Sequence, residues 1–163
     1  MRSRFLTSLA LAALFTPLMV TPVAASDSRL GGVEIRAPWT RPAAAGMTGV
    51  GYLVIANTGK TPLRLVSAES PAARMVSLHQ SVQTNGVSSM RPVTEGLTIA
   101  PGAQVALAPG GYHLMLMGLT QAQMAGGKTP LTLVFGGGRR LQVELVVRAS
   151  APTPGEQAAP HHH

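Results

Sequence analysis

Four residues in this chain carry donor atoms suited to a soft metal ion: His79, Met90, His113 and Met115. Ten residues separate His79 from Met90, twenty-two separate Met90 from His113, and the last two ligand candidates form a His-x-Met pair. The 163 residues contain no cysteine, so thioethers are the softest donors present. Imidazole paired with thioether favours Cu(I) over zinc or hard cations, whereas a blue-copper electron carrier needs a cysteine thiolate as a principal ligand. Copper binding and transfer is therefore the chemistry the donor set points to, and blue-copper electron transfer is ruled out.

Strand periodicity gives these residues a geometry, because side chains two apart on a strand share a face. In Tyr112-His113-Leu114-Met115-Leu116-Met117, the leucines would take the core and leave His113, Met115 and Met117 on the opposite face. Arg74-Met75-Val76-Ser77-Leu78-His79 splits the same way, with Val76 and Leu78 inward and Met75, Ser77 and His79 outward. Two strands thus each present His plus Met where an ordinary sandwich would carry Thr, Lys or Glu. A lone methionine more often fills a core than binds metal, and on that ground Met47, Met75, Met117 and Met124 are read as packing, Met75 and Met117 also as lip residues. The pairing of His113 with Met115, and the fact that the only two histidines of the folded domain both sit on Met-bearing strands, set His79, His113 and Met115 apart.

The elements that must position them are strands almost throughout. Apolar stretches of five to nine residues alternate with Gly, Pro, Asn and Ser punctuation. The expected strands are Val33 to Arg36, Gly49 to Asn57, Leu63 to Ser67, Ala73 to Gln80, Val87 to Arg91, Leu97 to Ile99, Gln104 to Ala108, Tyr112 to Met117, Leu131 to Phe135 and Leu141 to Arg148. Turns are expected at Asn57 to Pro62 and Ala108 to Gly111, a hairpin link at Gly136 to Gly138, and a helical turn at Gln121 to Gly126. Short strands with such turn chemistry indicate an all-β sandwich or barrel. Trp39 and Pro38 are assigned packing or a loop, with no chemistry.

Met1 to Ala25 has the build of a secretory signal: Arg2 and Arg4, an apolar stretch from Phe5 to Val20, then Val23-Ala24-Ala25 as the small residues before cleavage. The apolar run is short for a membrane-spanning helix, and no cysteine follows to carry a lipid. Cleavage after Ala25 would leave a folded domain over residues 26–148 and a flexible Pro-containing tail over 149–163. Without Arg2 and Arg4, 11 basic residues face 6 acidic ones, a net charge near +5. The basic groups are scattered and aromatics are few, which argues against nucleic-acid binding. A modest positive field could still steer the domain toward an acidic partner.

From about Val33 to Val147 the sequence resembles the periplasmic PCuAC copper chaperones. The resemblance is carried by Gly51-Tyr52-Leu53-Val54-Ile55-Ala56-Asn57-Thr58-Gly59, Ser70-Pro71-Ala72-Ala73, Leu78-His79, Met90-Arg91-Pro92-Val93, and Pro109 through Leu119 around His113 and Met115. It departs at Gln80, where many members carry Glu. The resemblance implies a cupredoxin-like, Ig-like or Greek-key β-sandwich in the periplasm. It also implies one Cu(I) held by His79, Met90, His113 and Met115, and delivery to the copper subunit of cytochrome c oxidase, directly or through a thiol-containing assembly protein. His161, His162 and His163 form a further candidate site, for Cu(II), or are the remnant of a purification tag.

Three rival readings are separable by observation. A copper storage or resistance protein would share the ligands but give a deletion phenotype confined to copper tolerance. A β-sandwich interaction module would bind no stoichiometric copper. An enzyme is the weakest reading, because no nucleophile and base are grouped with an acid.

Overall fold

The computed structural model describes residues 28–152; the expected signal segment, most of the tail and the terminal histidines lie outside them. Eleven strands account for nearly all the regular structure: β1 Ser28–Leu30, β2 Val33–Thr40, β3 Gly49–Asn57, β4 Leu63–Glu69, β5 Ala73–Thr84, β6 Val87–Pro92, β7 Leu97–Ile99, β8 Gln104–Leu107, β9 Tyr112–Leu119, β10 Lys128–Phe135 and β11 Arg139–Val147. They join edge to edge in the order β6-β5-β9-β8-β3-β2-β11-β10-β4-β7, with β9 also pairing β3 and β1 pairing β2.

A short parallel contact, Trp39 opposite Val146 and Thr40 opposite Val147, links the β2 side to the β11 side. Leu53, Ile55, Leu114 and Leu116 on the first side meet Leu63, Leu65, Leu131, Leu133, Phe135 and Leu145 on the second in one apolar core. At about 25 cal/mol per Å² of apolar surface removed from water, this core drives folding without disulfides. Gly51 lets β3 close onto β9: a Cβ there would stand 3.1 Å from Leu145 Cδ1 and 3.3 Å from Leu116 Cδ1.

Several boundaries differ from the sequence expectation. Strand β2 continues past Pro38 because the register shifts between Arg36 and Trp39, and proline is tolerated where a bulge asks for no ladder N–H. Trp39 then stacks on its cross-strand partner Tyr52 at 4.7 Å between ring centroids. The helical turn expected at Gln121 to Gly126 is absent. Gln123 instead forms an isolated bridge with Ala43, and its buried amide donates to Thr129 Oγ1 at 3.1 Å and accepts from Thr40 Oγ1 at 3.3 Å. Gly136–Gly138 is a single 3-10 turn joining β10 to β11, as the hairpin reading required.

Candidate metal centre

Strand β5 is the spine of the site, pairing β9 on one side and β6 on the other. Across β5 and β9 the direct partners are Met75 with Met117, Ser77 with Met115, and His79 with His113. Across β5 and β6, Ser81 faces Met90 and His79 faces Pro92. Because alternate residues share a face, His79, Met90, His113 and Met115 all project from one side of the sheet. Leu114 and Leu116, each 0% exposed, seal the other side.

The register that places Met90 beside His79 is set at the β5–β6 turn. Thr84 pairs Val87, leaving Asn85-Gly86 as a two-residue loop with φ of 51° and 78°. Both residues are left-handed, as a type I′ turn demands, and Asn-Gly is the favoured pair for it. Counting back from that turn puts Met90 diagonal to His79, within reach of a long side chain.

The donors are graded in depth. His113 is 4% exposed, His79 and Met115 are half-buried, and Met90 is 63% exposed. An imidazole thus lies at the floor of the site and a thioether at its lip.

Hydrogen bonding fixes which ring nitrogens are available. His113 Nδ1 lies 3.1 Å from Gly111 O; a carbonyl only accepts, so Nδ1 carries a proton, and in the neutral ring the lone pair is on Nε2. His79 Nε2 lies 3.0 Å from Ser77 Oγ. His79 Nδ1 is buried with no hydrogen-bond partner. An unsatisfied buried polar atom costs about 1–3 kcal/mol, and a metal ion that accepts this lone pair removes the deficit. In that state Nε2–H donates to Ser77, the outer-shell arrangement that orients metal-binding histidines.

The rings are tilted by 33° with centroids 6.0 Å apart. With metal–nitrogen bonds of about 2.0 Å, two imidazoles sharing one ion have centroids at most about 6.4 Å apart. The observed spacing fits one shared ion with a wide nitrogen–metal–nitrogen angle. Among the described residues no group of three or more His, Cys, Asp or Glu converges to hold a metal ion.

The sequence reading put His113 with Met115, and His79 with Ser77, on one face of their strands; the β5–β6 register adds Met90 to it, and neither the part Ser77 plays beside His79 nor the Asn85-Gly86 turn was anticipated. The turn carried a signal, an Asn-Gly pair between two strands. Ser77 carried none beyond its place two residues before His79. The candidate Cu(II) ligands His161, His162 and His163 lie outside the described residues.

The fold is a cupredoxin-like β-sandwich, the architecture of solved PCuAC domains. The structure superposes on the copper-bound PCuAC domain from PmoF2 with a TM-score of 0.63 and 24% identity, covering 77% of this chain and 99% of that one. The solution structure of CuI-DR1885 from Deinococcus radiodurans matches with a TM-score of 0.55 and 28% identity over 71% of this chain and 79% of that one. Residues 33–147 match the family described as "Putative lipoprotein LpqE-like", and the chain belongs to that family. A relative, "Putative lipoprotein Lxx21020" of Leifsonia xyli subsp. xyli, is 38% identical over 117 residues, 72% of this chain and 70% of its own length. The present 163 residues contain no cysteine, and so no thiol to which a lipid could be attached.

Proposed function

We propose that this protein is an exported copper chaperone that carries one Cu(I) on His79, Met90, His113 and Met115 and delivers it for assembly of the copper centre of cytochrome c oxidase. The observation that carries the reading is that His79, whose Nδ1 is buried and unpartnered, lies with its ring centroid 6.0 Å from that of a second imidazole, His113. The copper-bound and Cu(I) forms among the similar solved structures support it. The expected acceptor is the oxidase copper subunit or a thiol-bearing assembly protein. Two imidazoles and two thioethers hold Cu(I) well, yet a thiolate-rich acceptor is a softer and charged competitor. Transfer therefore runs toward the acceptor.

Mixing the Cu(I)-loaded protein with a soluble oxidase copper domain tests delivery. Copper is expected to move to the domain, and retention on the donor would contradict the reading. A deletion strain with normal oxidase activity and impaired copper tolerance would favour storage or resistance. Export to the periplasm, with removal of Met1 to Ala25, belongs to the same proposal, and the intact mass of the exported protein checks it. The histidines at 161–163 are proposed to capture Cu(II), which then requires reduction before the face holds it. If replacing all three with alanine leaves Cu(II) binding unchanged, that part fails.

A further inference from the structure

The copper-site face does not end at the four ligands. One rung beyond Ser77 and Met115, Met75 and Met117 stand as direct cross-strand partners on the same side of the sheet. Directly opposed residues have Cβ atoms about 4.5–5.5 Å apart, close enough for two thioethers to converge on one ion. Met75 is 57% exposed and Met117 half-buried, whereas Val76 and Leu116 of the neighbouring rung turn to the core. The core therefore does not account for either methionine. Across β5 and β9 these rungs hold Met75, Ser77, Met115 and Met117, and β3 adds Val50 opposite Met115, with no carboxylate, amine or guanidinium among them. Such a surface rejects hard cations and offers a soft monovalent ion two or three sulfurs.

We infer that Met75 and Met117 form a second Cu(I) subsite, with Met115 shared between it and the His79/His113 site. The inference rests on the copper reading above and extends it. An ion passing from one site to the other exchanges ligands without leaving the protein surface. Its bonds to His79, His113 and Met90 break, bonds to Met75 and Met117 form, that to Met115 persists, and copper stays Cu(I) throughout. Without imidazole the second site binds more weakly than the first, as an intermediate stop in loading or release requires.

The test is a titration of the full chain, labelled with 13C at the methionine methyl groups, with Ag(I) as a redox-inert probe. Single Met→Leu variants assign the signals. The Met90 and Met115 methyls are expected to shift first. The Met75 and Met117 methyls shift together at higher Ag(I), and the Met75→Leu, Met117→Leu double variant loses the later step while keeping the first. Met75 and Met117 signals that stay fixed while Met90 and Met115 shift would overturn the second subsite and leave the main site standing. If Met90 and Met115 also stay fixed, the copper reading itself falls; because the readout is confined to methionine, silver on the terminal histidines does not mimic either result.

Discussion

Ser77 Oγ lies 3.0 Å from His79 Nε2, two residues along the same strand, and this contact leaves His79 Nδ1 as the nitrogen free for metal. Ser77→Ala keeps all four proposed ligands but removes the group beside His79 Nε2. Losing an outer-shell partner lowers metal affinity by about 10–100-fold. A Cu(I) competition titration is expected to show a loss of that order with an unchanged melting temperature, and Ser77→Thr should restore affinity. Wild-type affinity in Ser77→Ala would remove Ser77 from the site.

The Asn85-Gly86 turn sets the register that brings Met90 to the same face as His79. A branched side chain at Gly86, where φ is 78°, meets the left-handed penalty of about 1–2 kcal/mol. Gly86→Val should lower stability by that amount in urea unfolding and weaken Cu(I) binding by loosening the β6 strand. Inserting one residue between Ser88 and Ser89 should act more severely on copper, because a one-residue slip turns Met90 to the other face.

Glu34 is buried and accepts from Arg29 at 2.8 Å and Arg36 at 3.0 Å. The Arg36 hydrogen bond, followed by that from Arg29, holds its carboxyl below the ordinary value of 4.5. A depressed folded-state value gives stability that is present above the unfolded carboxylate range and lost as pH falls through the folded value. Glu34→Gln is expected to cost about 1–2 kcal/mol at pH 7. The gap from wild type should narrow below about pH 4.5 in unfolding curves taken across pH; a gap independent of pH would show that the ion pairs do not supply it.

The shared face of His113 and Met115 was legible in the sequence because alternation is a backbone property: Leu114 and Leu116 inward force His113 and Met115 to the other side whatever the neighbouring strands are. That Met90 joins His79 there needed the β5–β6 register. Gly49–Asn57 and Leu97–Ile99 were readable to the residue from their punctuation. Strand β2 was cut short at Arg36 because Pro38 reads as a stop, and only the three-dimensional register reveals the bulge that absorbs it. Gln121 to Gly126 misled because Gln, Ala and Met are good helix formers followed by a glycine, the local pattern of a helical turn. The bridge from Gln123 to Ala43 joins segments eighty residues apart, which local pattern does not encode. The role of Ser77 was hidden for a different reason: it depends on one hydrogen bond, not on periodicity.

Cu(I) held on one sheet face by His79, Met90, His113 and Met115 is tested most directly by competition against a chromophoric Cu(I) chelator, in a full chain with His161, His162 and His163 replaced by alanine. One equivalent should bind tightly, with strong loss in His113→Ala or Met115→Ala and no loss in Met124→Ala, since Met124 lies exposed away from the paired strands. Equal affinity in all three variants, or no competitive binding at all, would contradict the site.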